Sequence, residues 1–313
     1  MNMTNQALSQ GRRRRIGRSA LNERIWGYFF VAPIMIGVFT FSLGPVLYAI
    51  YMSLTRWDGM TQPVFVGFAN FQALFQDPMM LGELLNTLKY TVWVVPTTLA
   101  IALVIANLLN TAIPGRSFFR VSFFLPVVTM PVAISTVWRW LFNSQFGLVN
   151  FLFRPFGVNP QWLGDPQYVM AAIIVVSVWS GIGYASIILL AGLQNIPKNY
   201  YEAASIDGAS TRLQFFKITV PLLSPTIFFL FITSMINAFK AFDIIYMFAG
   251  ASVVASGGPI TEAVRTMVFG IYQKGFQLQQ MGYAASEAAL LFALILLVTA
   301  LQFCLQKKLV CYD

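Results

Sequence analysis

Long apolar runs alternate with short polar connections over nearly the whole chain. They predict helices at about Trp26–Leu54, Thr87–Leu109, Phe118–Phe142, Val169–Leu193, Leu222–Phe248 and Ala284–Leu305. Each approaches or exceeds the roughly 20 residues that carry a helix across about 30 Å of hydrocarbon. Alternating strand patterns are absent, so helices must satisfy the backbone in lipid. Pro33 and Gly44-Pro45 predict a first run that is bent or starts at the interface. Pro126 and Pro131 fall inside the third run, read as one span, and Trp179-Ser180-Gly181-Ile182-Gly183-Tyr184 predicts a helix break in the fourth. The fold class is therefore all-α, a polytopic membrane protein with about six transmembrane helices.

The polar connections set the orientation. Residues 1–24 read as a basic N-terminal arm carrying Arg12, Arg13, Arg14, Arg15, Arg18 and Arg24, and residues 25–313 as the transmembrane domain. Thirteen of the 20 basic residues fall in the arm, the turn at Arg116 and Arg120, the stretch holding Lys198, Arg212 and Lys217, and the tail at Lys307-Lys308. The positive-inside rule then puts both termini and that stretch in the cytoplasm. The connection from Ala249 to Gly282, with Gly257-Gly258-Pro259, is either an outer cap against a partner or a plain surface loop.

Composition narrows the classes further. Hydrophobic residues make up 58% and charged ones 10%, and the mean hydropathy is +0.69, too apolar for a soluble fold. The net charge of +9 sits at span ends without interleaved aromatics, so nucleic acid is not an expected partner. Cys304 and Cys311 are expected in the cytosol, where neither a disulfide nor a metal site is expected. Zero histidines removes His-based triads and relays.

One polar stretch, residues 198–221, lies between two spans. It reads as a short amphipathic helix, a turn at Asp207-Gly208, and a second short helix. Glu202-Ala203-Ala204, three residues, Gly208, nine residues, then Ile218-Thr219-Val220-Pro221 resembles the EAA loop of binding-protein-dependent ABC importer permeases. Val220 departs from the usual Leu. Trp57-Asp58-Gly59, Val66 to Phe71, Phe123-Phe124-Leu125-Pro126, Trp138 to Phe142, Phe146 to Asn150, Gly192 to Pro197 and Ala238 to Tyr246 look like the sugar-importing branch. Within it the chain is most similar to the first permease of the pair, the maltose, lactose, raffinose and glycerol-3-phosphate type.

The resemblance implies a type I importer fold in a bacterial cytoplasmic (inner) membrane. It also implies a homologous second permease, two copies of a cytoplasmic ATPase and an extracytoplasmic solute-binding protein as partners. Glu202, Ala203, Ala204, Asp207 and Gly208 are then the residues expected to couple to the ATPase. No phosphate-binding loop occurs, so ATP and Mg are expected on the ATPase subunits, with no cofactor and no enzymatic activity in this chain.

Polar residues within spans are costly and face a cavity or a partner helix. Ser177, Ser180, Gly181 and Tyr184 fall at helical spacing, as do Asn237, Lys240 and Asp243. In similar permeases this is where sugar hydroxyls meet the channel wall. Helix packing through small residues is the other reading for the serines, and a structural ion pair or interfacial position for Lys240 and Asp243. No paired carboxylates or nucleophile–base pair is expected within the spans. A stand-alone secondary transporter is the alternative function, and would show inverted repeats and no EAA loop.

The orientation has a direct test. Single cysteines at Arg116 and Lys198 are expected to stay unlabelled by an impermeant thiol reagent added outside sealed cells, and one at Gly258 to be labelled. External labelling at Lys198 would overturn the charge argument.

Overall fold

A computed structural model describes residues 18–111, 114–157, 159–249 and 258–310. Arg12 to Arg15, Cys311 and Gly257 lie outside them. The chain divides into two compact units, residues 1–51 and 52–313.

In the first unit, α1 (Arg18–Val38) runs without interruption through Pro33 into a π-helical turn, Phe39–Leu43, and then α2 (Gly44–Ser53). The turn answers Pro45. A proline ring clashes with the carbonyl four residues back and brings no N–H, so the ladder widens locally, and Gly44 N–H bonds to Phe39 O. The 29 residues Ile25–Ser53 are apolar enough to cross a membrane, and none of their most apolar stretch is buried. The same device recurs at the π-helical turn Phe215–Thr219, just ahead of Pro221.

The second unit opens with a two-stranded hairpin, β1 (Thr55–Arg56) and β2 (Val64–Phe65), paired antiparallel with Thr55 opposite Phe65. Asp58 holds its turn by accepting from Met60 N (2.9 Å), Thr61 N (2.8 Å) and Thr61 Oγ1 (2.8 Å). The N–H groups of Thr61 and Met60 depress its carboxyl to about 2, so it stays ionised. Helix α3 (Ala69–Gln76) follows.

The two long central helices, α4 (Pro78–Asn110) and α8 (Pro166–Gln194), start with the same local signal. Asp77 and Asp165 cap them by accepting from Met79 N (2.9 Å) and Gln167 N (2.8 Å), with proline next at the first helical position. These caps lie beyond the apolar runs, so the helices extend past the predicted spans.

Between the two, α5 (Arg116–Val128) and α6 (Pro131–Leu141) meet at 105°. The single span expected over Phe118–Phe142 is thus broken: Thr129 and Met130 are extended, as the residue before a proline prefers. The short α7 (Leu148–Phe153) leads towards α8. After it come α9 (Lys198–Ile206), α10 (Thr211–Gln214), α11 (Val220–Phe239) and α12 (Asp243–Ala249). The described chain ends with α13 (Pro259–Val264), α14 (Met267–Tyr272) and α15 (Met281–Leu309). Five segments can cross a membrane by length and composition, or six if α5 and α6 count as one bent span.

Helix α4 packs chiefly on α8, and α11 closes over both. Tyr90 and Val95, before and at the middle of α4, share an apolar cluster with Val169, Ile173 and Val176 in the first half of α8. Ala106 and Leu109 meet Leu189, Leu193 and Ile196 near the ends of both helices. The two helices therefore run parallel.

An ion cluster ties the start of this core together. Lys274, in the π-helical turn Gln273–Gln277, lies 2.8 Å from Glu83 of α4 and 2.9 Å from Glu287 of α15, all but sealed from solvent at 8%, 1% and 0% side-chain exposure. Burial opposes the ammonium charge, but the two carboxylates outweigh it and raise Lys274 above the usual lysine range. Gly270 permits the approach, since a Cβ there would lie 2.5 Å from the Glu83 carboxyl. Thr87 adds a neighbouring tie, accepting from Met267 N at 3.0 Å.

Removing one partner of a buried ion pair leaves an uncompensated charge and costs about 3–5 kcal/mol. Lys274→Met, which strands two carboxylates, is expected to lower the thermal midpoint in detergent clearly more than Glu83→Gln, which leaves the Lys274–Glu287 pair. Size-exclusion after stepped heating reads this, and a wild-type midpoint for Lys274→Met would refute it.

Candidate coupling surface and substrate pathway

The stretch after α8 folds as two short helices around a left-handed glycine. Helix α9 ends in paired bonds, Ala209 N–H to Ala204 O at 2.9 Å and Gly208 N–H to Ser205 O at 3.1 Å. This is the Schellman arrangement, which requires a left-handed residue at the position of Gly208, whose φ is +80°. A Cβ there would meet nothing within 4 Å, so the demand for glycine is conformational, not steric.

Gln214 locks the two helices together. Its Nε2 donates to Ser205 Oγ (3.0 Å) and to Ala209 O (3.1 Å), while Ser210 caps α10 by accepting from Leu213 N–H. The inward side is anchored: the Tyr201 hydroxyl pairs with Thr219 Oγ1 at 3.0 Å, and Tyr201 packs on the cluster at the ends of α4 and α8. With the Gln194 amide oxygen turned towards them, Arg116 and Arg120 both donate to it at 3.2 Å.

The outward side has no such partners. Glu202, Ala203, Asp207 and Gly208 are exposed and Ala204 is half-buried. No ion pair holds Glu202 or Asp207 among the described residues. Around them Ile206 is 87% exposed, Phe216 67% and Leu213 50%. A rigid turn thus presents a free carboxylate pair beside bare apolar side chains, a composition that marks a protein contact.

The predicted pathway residues separate into two groups. On α8, Ser177 is buried, Ser180 donates to Ser177 O at 3.1 Å, and Gly181 faces Thr98, whose Cγ2 would stand 3.2 Å from an added Cβ. The helix break expected at residues 179–184 does not occur: α8 is continuous, and Gly181 serves close packing against α4. Of this set only Tyr184 is open, at 47% exposure. On α11, Asn237 is exposed in the last turn, Lys240 is the cap residue, and Asp243 begins α12. The helix therefore breaks at Lys240–Phe242, and no ion pair joins Lys240 to Asp243 among the described residues.

Sequence reasoning missed the cluster of Glu83, Lys274 and Glu287. It expected no paired carboxylates within spans, yet Glu83 and Glu287 converge on one ammonium. The available signal was an acidic residue within the first two turns of each of two otherwise apolar helices.

Residues 113–310 match the family described as binding-protein-dependent transport system inner membrane component, and the chain belongs to it. It is a multi-pass permease subunit of an ABC importer. It is 34% identical over 290 residues to the probable ABC transporter permease protein YesP of Bacillus subtilis strain 168, covering 91% of this chain and 92% of that one. It is 33% identical over 292 residues to the sn-glycerol-3-phosphate transport system permease protein UgpA of Agrobacterium fabrum, covering 93% and 97%. Its fold is that of a chain in the bacterial alginate ABC transporter crystallised with an alginate pentasaccharide-bound periplasmic protein. The TM-score is 0.78 at 18% identity, covering 94% of this chain and 98% of that one.

Tyr184 and Asn237 are exposed polar members of the predicted pathway set on α8 and α11. Tyr184→Ala and Asn237→Leu are expected to cut uptake at least fivefold with membrane insertion and ATPase retention unchanged. Unaltered uptake kinetics in both variants would assign these residues to packing.

Proposed function

We propose that this chain forms half of a channel that moves a sugar, or a sugar-derived solute, into the cytoplasm. The carrying observation is the turn around Gly208: braced within, it leaves Glu202 and Asp207 without an ion pair among the described residues, and Ile206 and Phe216 exposed. Such a surface suits docking in a cleft of an ATPase subunit. Residues 198–221 and both termini then lie on the cytoplasmic side, with the basic arm 1–24 as anchor and 25–313 as the permease domain. The remaining partners are a homologous second permease, two ATPase copies that carry ATP and Mg, and an extracytoplasmic binding protein that delivers the solute. The chain itself catalyses no reaction.

The sugar class is supported by the relatives, among them a glycerol-3-phosphate system permease, and by polar and aromatic groups at Tyr184, Asn237, Lys240 and Asp243. Ser177, Ser180 and Gly181 share the helical face of Tyr184, with Gly181 packed against Thr98 of α4. Closure of the ATPase pair would draw the two coupling turns together. Helix α9 is bonded to the start of α11 through Tyr201 and Thr219, so that movement would pass into the span lining the pathway.

Glu202→Lys tests this reading. Reversal of a charge buried at the docked interface is expected to weaken ATPase association by about two orders of magnitude or more. The protein should stay membrane-inserted while radiolabelled sugar uptake is lost. Gly208→Val should give the same loss, because a β-branched residue opposes φ near +80°. Wild-type uptake with Glu202→Lys would make the stretch a solvated connection.

A further inference from the structure

A cavity of about 450 Å³ opens where the hairpin meets the start of α15, lined by Arg56, Trp57, Asp58, Gln62, Gln279 and Gln280, with Tyr283 also contributing. It adjoins the start of α4, whereas the coupling turn packs at that helix's far end. For 33 residues that separation is about 50 Å.

The cavity wall is tied down. Asn70 Nδ2 donates to Ser53 O (2.9 Å) and Thr55 O (2.8 Å), and Gly282 N–H donates to Trp57 O at 3.1 Å. Trp57 Nε1 donates to Thr61 O at 2.7 Å, which fixes the indole plane. Tyr283 donates to Asp77 at 3.0 Å. The lining groups left without partners are a different set. The side chains of Arg56, Gln62, Gln279 and Gln280 make no hydrogen bond or ion pair among the described residues. Gln279 also has φ of +55°, and among the described residues no other non-glycine has positive φ. A strained residue kept at a pocket lining, where glycine would relieve it, points to a use for its side chain.

From this juxtaposition we infer that the hairpin cavity is a saccharide-binding subsite, separate from the pathway residues on α8 and α11. A sugar ring needs an aromatic surface and both donors and acceptors at fixed positions. Trp57 supplies the first, and the three glutamine amides with Arg56 supply the second. The volume suits a small ligand. One guanidinium beside the ionised Asp58 gives no net charge, so the site favours hydroxyl groups over a phosphate or a lipid headgroup. The ligand class rests on the sugar-import reading, while the location does not. In that reading the cavity faces outside, where a saccharide leaving a binding protein would first meet the permease.

The test uses the full-length chain with its partner subunits in lipid nanodiscs, without binding protein, on an array of neutral and acidic oligosaccharides. At least one saccharide should be retained. Trp57→Ala should weaken it at least tenfold and Gln279→Gly at least fivefold. Gln279→Gly should at the same time leave the thermal midpoint unchanged or raised, because glycine accepts the left-handed backbone. That pairing separates a ligand contact from a structural role and stands even if Trp57→Ala misfolds. Retention of no saccharide by the wild type would overturn the inference, as would wild-type affinity in Gln279→Gly. Loss that follows Tyr184→Ala rather than the hairpin variants would move the site to the channel and leave the import reading standing. Wild-type uptake in Glu202→Lys would sink the coupling reading without touching the affinity result.

Discussion

Lys274 bridges Glu83 and Glu287, residues 191 and 13 positions away, in a place with almost no solvent. Each carboxylate alone would be expensive among apolar helices, and so would the ammonium. Bound together they are tolerated only in one placement of residues 262–274 against α4. The close contact of Gly270 with Glu83, the bond from Met267 N–H to Thr87 and the bonds from Asn86 to Glu262 O and Arg265 O all belong to that placement. Apolar packing by itself specifies rotation and translation of helices in lipid weakly, because lipid is as apolar as leucine. A buried ion cluster specifies them strongly.

The two ends of the second unit then divide their duties by polarity. At the ends of α4 and α8, Leu109, Leu193, Ile196 and Tyr201 form a firm apolar seat for a turn whose outer face is left open. At the start of α4, backbone tied by Asn70 surrounds a polar cavity whose glutamine amides make no hydrogen bond among the described residues. Rigidity behind and unsatisfied groups in front is the arrangement a contact surface needs, because ordering is then complete before a partner arrives.

Much was legible in the residues because the relevant physics is local. Hydrophobic runs marked the membrane helices, and the left-handed turn followed from Gly208 after a short amphipathic segment. Elsewhere local signals had two outcomes. Pro33 passes through a helix unbroken, while Pro131, preceded by extended Thr129 and Met130, accompanies a 105° bend. Gly181 in α8 suggested a break and serves a packed contact with Thr98, whereas the α11 break at Lys240 was not foreseen. A glycine or proline states what the backbone is permitted, and neighbouring helices decide what it does.

The sequence by itself determined the all-helical membrane class and the helix–turn–helix around Gly208. Each depends on residues within a few positions of one another, where propensity, capping and φ/ψ sterics act directly. Only the tertiary structure decided that Ser177 is buried while Tyr184 is open, that Lys240 and Asp243 stand apart, and that Glu83 and Glu287 share Lys274. It alone brought Arg56 and Trp57 to the same cavity as Gln279. Those outcomes join segments up to some two hundred residues apart, and no spacing along the chain encodes which faces of distant helices will meet.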